Sequence, residues 1–445
     1  MTADFVPPFP PRMVEKQPLL ANIRKFRGNM LSVWLDGHYS SDFFAAPVLR
    51  RTIFVCNSPE TVREAFVENG QAFERKSPQM RHALEPLLGD GLFVSDGLVW
   101  KERRRAVAPV THVSRIAELT PVMSDVAAEW AARWAALPAG TEIDALEEMA
   151  EMTAEIICRT LFGRNLGQDA AQTVVRAFSG YQSRIGQTAL GAMLRLPEWW
   201  PRWQPPGIRA EVQRIHAVLD ALIANALAEE NEQSLVRAMA ERGAMDATAL
   251  RNEAATLFMA GHETTANTLA WCWYLLSQAP WAEARLAEEA QAVLGGRVAE
   301  HADVEHLLYT RAVIEEALRL YPPVPLLARE AMEPATIAGR DIPVGSLMLV
   351  IPWLLHRNPK LWEAPDAFRP ERFLGPPPAR YTYVPFSLGA RVCTGQQFGL
   401  TEAVICLATL AQRFRLELRP GHAVMPVSRL TLRPGETLPM RVYPR

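Results

Sequence analysis

Residues 252–280, NEAATLFMAGHETTANTLAWCWYLLSQAP, form an apolar run with helical spacing and almost no polar face to offer solvent. A helix of that kind has to pass through the middle of a fold, with other elements packed around it. Its centre breaks the pattern. Ala260-Gly261-His262-Glu263-Thr264-Thr265 places a glycine, a carboxyl and two hydroxyls where a core wants aliphatic side chains. Glycine costs a helix interior roughly 1 kcal/mol relative to alanine, and a buried carboxyl costs more unless paired or protonated. Two readings are open. The helix is structural and its threonines bond back to the preceding turn; or it opens locally at a functional site, where Gly261 admits a flat group against the backbone and Glu263 and Thr264 supply an acid and a hydroxyl.

Around that segment the chain reads as mainly α with small peripheral β-sheets. Helical patterns fall at about 98–108, 114–137, 142–163, 168–190, 208–228, 247–278, 281–293 and 303–320, with extended character within 30–56 and 327–351. Ser58 followed by Pro59 signals a helix start. The terminal RLTLRPGETLPMRVYPR suggests a hairpin centred on its Pro-Gly pair. The 35 prolines, above the usual share of about 5%, cluster at 7–11, 197–206, 321–325 and 359–378. They punctuate one body and do not form a linker. One domain is expected over 1–445, with 1–29 as a Pro-containing lead-in. The passage 358–392 is long, Pro-rich and irregular, which is unusual in a compact domain unless it serves a function. With 22% charged residues and a net charge of −2, nothing draws the chain toward nucleic acid or anionic membrane. The 5 cysteines lack paired spacing and no secretory leader or membrane-spanning run is evident. A reducing, cytoplasmic setting is expected.

Three constellations carry candidate chemistry. PFSLGARVCTG (385–395) holds a lone cysteine, Cys393, between Gly389 and Gly395 with Arg391 two residues before it. It could be a core thiol, a nucleophile or the single ligand of something large. Glu316 and Arg319, at i and i+3, meet on one helix face. Arg372 of FRPERF could share a buried Glu316 and pin the irregular passage. In GLVWKERRRAVAPV, Trp100 and Arg104 share a face and can address one ligand, while Lys101, Arg103 and Arg105 form either a solvated run or a docking face for an acidic partner.

In this order along the chain, the motifs resemble the signatures of the cytochrome P450 superfamily, the haem-thiolate monooxygenases, in their soluble bacterial form. The resemblance spans about residues 30–443. Phe386-x-x-Gly389-x-Arg391-x-Cys393-x-Gly395 is similar to the family's haem-binding loop, and Ala260-Gly261-x-Glu263-Thr264-Thr265 to its oxygen-activation motif on helix I. Trp100-x-x-x-Arg104 is similar to its helix C signature, and Glu316-x-x-Arg319 with Arg372 to its structural triad. The resemblance implies haem b between helix I and helix L, with Cys393 as axial iron ligand and Phe386 on the proximal face. Gly389 and Gly395 would leave room at the sulfur, and Ala260 and Gly261 would line the distal side. The propionates would fall to Arg104, Arg329 and Arg391, with the indole N–H of Trp100. Ser387 and Leu388 replace the commoner glycine-bearing pair of the loop, with no consequence expected.

The same resemblance implies oxygen insertion from O2, with Glu263 and Thr264 delivering protons. No dinucleotide fingerprint or iron–sulfur cysteine set occurs in the sequence. Electrons from NAD(P)H would therefore arrive through a separate 2Fe-2S ferredoxin and its reductase, to a monomeric enzyme. A peroxide-driven peroxygenase or isomerase on the same fold, or a haem-thiolate sensor, remains as an alternative. The substrate is expected to be a hydrophobic small molecule against Phe93, Val324, Leu326 and Leu327. Trp199, Trp200 and Trp203 line either a channel mouth or a packed surface loop.

Overall fold

Asp246 accepts the backbone N–H of Ala249 at 2.7 Å and starts the long central helix Ala247–Gln278, which ends where Pro280 opens the next one. A proline disfavours helical geometry in the residue before it, so two separate helices are dictated there. The computed structural model describes residues 5–163, 172–173, 175–178, 180–181, 204, 206–228, 234–242, 245–428 and 430–445. Most of the helix expected at 168–190, and Trp199, Trp200 and Trp203, lie outside these.

The longer helices are α1 (Leu19–Gly28), α2 (Pro78–Leu88), α3 (Gly97–Val107), α4 (Ile116–Ala135), α5 (Ala145–Phe162), α6 (Ile208–Ala228), α7 (Ala247–Gln278), α8 (Pro280–Leu294), α9 (Leu308–Leu320) and α10 (Gln396–Ala411). The strands are β1 (Phe43–Val48), β2 (Arg51–Cys56), β3 (Arg75–Lys76), β4 (Thr141–Asp144), β5 (Leu327–Glu330), β6 (Ala335–Ile337), β7 (Arg340–Ile342), β8 (Leu347–Val350), β9 (Phe414–Leu418), β10 (Val427–Ser428), β11 (Leu432–Arg433) and β12 (Pro439–Pro444). As its all-round apolar sequence requires, α7 packs against α5, α6, α8, α9 and α10. Trp134, Trp271, Trp273 and Trp353 are fully buried in the surrounding core. A five-stranded sheet, ordered β1-β2-β8-β5-β3, lies to one side, and a three-stranded sheet, β4-β12-β9, joins the chain's C-terminal strand to the start of α5.

Several local expectations are corrected. The Pro434-Gly435 pair does not turn a hairpin: β11 pairs with β10 (Ser428↔Leu432), and β12 crosses to β4 and β9. Helix α9 begins at 308, not 303; Asp303 instead closes a short turn, bonded to Arg297 and the Glu300 amide. Helix α2 escaped the sequence reading because Pro86 sits inside it, near its C-terminal end. The lead-in is fastened to the core: the amide of Phe368 donates to Phe5 O, and the Tyr321 hydroxyl to Pro8 O. Among the described residues, no helix is long and apolar enough to cross a membrane.

Candidate active site

The central part of α7, the N-terminal part of α10, β5 and the 385–395 loop enclose a cavity of ≈ 290 Å³. Cys393 lies on its wall, so its thiol is accessible only in the sense that it faces this deep space. The loop is shaped by its own backbone: Cys393 N donates to Phe386 O at 2.9 Å and Val392 N to Gly389 O at 3.1 Å. Burial pushes the Cys393 thiol up, opposed by the Gly395 amide and by the cations Arg104 and Lys76. The N-terminus of α10, three residues on, adds a dipole that favours thiolate. Phe386, Arg391, Thr394 and Gly395 share the wall.

Gly389, with φ +64°, has a different reason from the one expected. A Cβ there would lie 2.4 Å from the carbonyl oxygen of Phe66, so the glycine admits the 64–68 segment and not a group at the sulfur. Only Gly395 stands near the thiol, its missing Cβ 4.0 Å from Sγ. Ser387 also has positive φ, at +63°, and its buried hydroxyl has no hydrogen-bond partner. The replacement of glycine there does carry a consequence, local strain of about 1–2 kcal/mol.

The cations converge. Arg104, Arg329, Arg391 and Trp100 all line the cavity, and so does Lys76, which nothing in the sequence marked. Lys76 and Arg329 are directly opposite each other across β3 and β5, an arrangement that repels. Burial, then Arg329 and Arg391, holds the Lys76 amine well below its usual range. Burial, then Arg391, brings the Arg329 guanidinium down to about 9. Arg391 stacks on Trp100 at 4.2 Å and donates to Ser95 O, yet its Nε and Nη1 are buried without a partner. Arg104 donates to Val392 O at 2.8 Å. Among the described residues, neither Lys76 nor Arg329 has a carboxylate partner. Uncompensated buried cations around one cavity call for an anionic group. A porphyrin with two propionates and a thiolate-seeking metal fits this donor set.

On the opposite wall, α7 runs without interruption through its polar centre, so the expected opening of the helix is not found. Thr264 Oγ1 donates to Ala260 O at 2.7 Å and Thr268 Oγ1 to Thr264 O at 2.9 Å, the back-bonding alternative. Gly261 lines the cavity with its backbone, but the space a side chain would take is held by Ile157 Cδ1, 3.0 Å away on α5. Its lack of a side chain serves helix packing. Ala260, Glu263 and Thr264 line the cavity, as do Phe93, Val324, Leu326 and Leu327. Glu263, 4% exposed, pairs with Arg433 of β11 (Nε to Oε1, 3.0 Å). It also borders a second, polar cavity of ≈ 710 Å³ on the far side of α7, with His262, Glu151 and Glu155. His262 is buried there with neither ring nitrogen bonded, and burial takes it down to about 4. The Glu263–Arg433 pair spans 170 residues of sequence, and no local signal could reveal it.

Glu316, fully buried, receives Arg319 bidentately (2.7 and 2.8 Å), Arg372 Nε (3.1 Å) and the Arg369 amide (2.8 Å). Arg319 also donates to the carbonyls of His356, Pro365 and Ala367. These bonds supply the irregular passage with the order that regular structure does not. Of the basic run on α3, Lys101 and Arg105 are exposed, one turn apart. Arg103 is corrected: half a turn from both, it points inward to Asp90 at 2.7 Å and toward Glu253 at 3.6 Å.

The comparisons agree with this geometry. Residues 7–438 match the family model described as Cytochrome P450. Cyclooctatin synthase of Streptomyces melanosporofaciens is 33% identical over 88% of this chain and 86% of its own length. Cyclooctat-9-en-7-ol 5-monooxygenase of the same organism is 32% identical over 89% and 86%. Taurochenodeoxycholic 6 alpha-hydroxylase of Sus scrofa is 30% identical over 81% and 76%. In fold, the crystal structure of the cytochrome P450DA heme domain superposes with a TM-score of 0.80 at 23% identity, over 98% of this chain and 97% of that one. A lone cysteine beneath a cation-ringed cavity, the unbroken polar-centred helix above it and matches over nearly the whole length together place this chain in the cytochrome P450 family of monooxygenases.

Proposed function

We propose that this protein is a single-domain, soluble, cytoplasmic P450 that inserts one oxygen atom of O2 into a hydrophobic small molecule. The observation that carries the reading is one cavity shared by Cys393, four cations, of which Lys76 and Arg329 have no carboxylate partner among the described residues, and the Glu263/Thr264 pair. Cys393 would hold the iron of haem b, and Arg104, Arg329, Arg391 and Lys76 would hold the propionates with the Trp100 N–H. Bound there, haem iron with a thiolate beneath it supplies the oxidising chemistry that activates O2. The protein's own residues then bind substrate, exclude water and move protons. Phe93, Leu257, Val324, Leu326, Leu327 and Leu430 give the substrate side of the cavity an apolar lining. That suits a lipophilic molecule with few polar groups, terpenoid-like among the classes, in keeping with the cyclooctatin chemistry for which two relatives are named. Glu263 borders both the substrate cavity and the polar cavity behind α7, which supports a role in passing protons inward. The Thr264 hydroxyl, bonded to Ala260 O as donor, still has oxygen lone pairs to accept them.

Electrons from NAD(P)H would come through a ferredoxin and its reductase, docked by the exposed Lys101 and Arg105, to a monomer. Turnover with NADPH, ferredoxin and reductase should oxidise substrate, and peroxide alone should not; efficient peroxide-driven turnover would instead mark a peroxygenase, and no turnover of either kind a sensor. Cys393→Ser should abolish the red-shifted Soret band of the ferrous carbon-monoxide adduct. Thr264→Ala should keep substrate binding while diverting electrons to hydrogen peroxide, and a fully coupled variant would remove Thr264 from the proton path.

A further inference from the structure

A second buried carboxyl on α7 is used by none of the roles above. Glu253, two turns before Ala260, is fully buried. Its Oε1 accepts the backbone N–H of Leu92 at 2.8 Å and stands 3.6 Å from Arg103 Nε, while Oε2 has no hydrogen-bond partner. Leu92 and Phe93 line the substrate cavity. The segment leading to them, between α2 and α3, is pressed onto α7. A Cβ at Gly89 would lie 2.3 Å from Asn252 Nδ2, and one at Gly91 2.4 Å from Thr256 Oγ1. Asp90 is held by Asn252 Nδ2 at 2.9 Å and Arg103 at 2.7 Å. At its far end, Lys76 Nζ stands 4.2 Å from the Phe93 ring centre. A loop with no ladder of its own must find partners for its amides, and Leu92 finds a carboxylate 161 residues away. A neutral amide side chain would satisfy that N–H without burying a charge, so the choice of glutamate asks for a reason.

We propose that Glu253 is a positioning residue for substrate, a latch whose carboxylate clamps the Leu92–Phe93 wall to α7 and whose protonation loosens it. A charged acceptor bonds an amide more strongly than a neutral one, and only the charged form attracts Arg103. Burial takes the carboxyl up to about 7, with the Leu92 amide and Arg103 acting against it and Asp90 acting with it. Arg103 from α3 and Asp90 from the loop are the charged groups that act on it. The latch therefore changes state near neutral pH. The proposal rests on reading this cavity as the substrate site, and amide exchange tests the latch apart from that reading.

Hydrogen–deuterium exchange of the haem-loaded protein, followed over residues 89–96 from acid to alkaline pH, measures the latch. In the wild type the protection factor of Leu92 should rise about tenfold as Glu253 ionises, the difference between a neutral and a charge-assisted hydrogen bond. Glu253→Gln should show protection that does not vary with pH, and Glu253→Ala should lose it throughout. The probe 4-phenylimidazole, titrated optically, reads the cavity; the ratio of its Kd in wild type to that in Glu253→Gln cancels the probe's own ionisation and should follow the same pH curve. A pH-independent protection factor in the wild type, or wild-type protection in Glu253→Ala, overturns the latch. Exchange as expected with a flat Kd ratio overturns the positioning role. Failure of the wild type to bind the probe at all would fault the cavity's assignment and not the latch.

Discussion

Removing Arg329 should have opposite effects on the protein without haem and with it. Arg329 is 2% exposed and faces a second cation, Lys76, across the sheet. Its guanidinium stands at about 9 against an ordinary 12.5, so below pH 9 the fold carries a charge disfavoured by about 5 kcal/mol. The sign follows from linkage. The folded value lies below the unfolded one, so the penalty is complete below pH 9 and is relieved only as pH rises above it. Arg329→Met keeps a long side chain and discards the charge. Replacing even a paired buried charge by well-packed hydrophobes is often neutral or stabilising by about 1–4 kcal/mol, so the apo-protein, where Arg329 faces no carboxylate, should gain stability of that order in urea unfolding. Bound haem would reverse the balance if Arg329 holds a propionate, because the variant would lose a charge-assisted bond worth about 1.5–3 kcal/mol. Haem transfer to excess apomyoglobin should then quicken roughly 10- to 100-fold. An apo variant less stable than the wild type, or unchanged haem retention, would refute the anion site.

Two other outcomes concern stability. Ser387→Gly removes a side chain from backbone at φ +63° and should stabilise the holoenzyme by about 0.5–1 kcal/mol after the entropy of glycine is counted; a urea midpoint at or below the wild type's would show that no strain is held there. Glu316→Gln leaves Arg319, fully buried, without its counter-charge and should destabilise by about 3–5 kcal/mol. Limited proteolysis of 356–372 would locate the damage, and a loss confined to α9 with that passage intact would mean the network does not pin it.

Legibility followed distance along the chain. The loop 385–395 could be read because Arg391 and Gly395 each stand two residues from Cys393. The pair Glu316/Arg319 was visible because one helical turn brings them together, and Arg372 because its motif is short and charged. Lys76 was not legible: a lysine in a two-residue strand has no local mark, and only its pairing with β5 sets it beside Arg329. The same holds for the inward turn of Arg103, which depends on Asp90 and Glu253 being there to receive it. Gly261 and Gly389 are both sites of close approach, to Ile157 and to the Phe66 carbonyl, and the sequence could not name these neighbours, since a glycine says that something comes near and never what.

By itself the amino-acid sequence determined the elements that periodicity and caps dictate: the all-apolar helix 247–278, its polar centre, and a cysteine loop with the composition of a haem-binding turn. These are properties of side chains a few residues apart, where backbone geometry leaves little choice. Tertiary structure decided which charges meet. It set Lys76 against Arg329, tied Glu263 to Arg433 and hung the Leu92 amide on Glu253. Each of these joins residues far apart in the chain, and burial then alters what each group can do: the same carboxyl that is ordinary in water is a near-neutral acid when α7 carries it into the core.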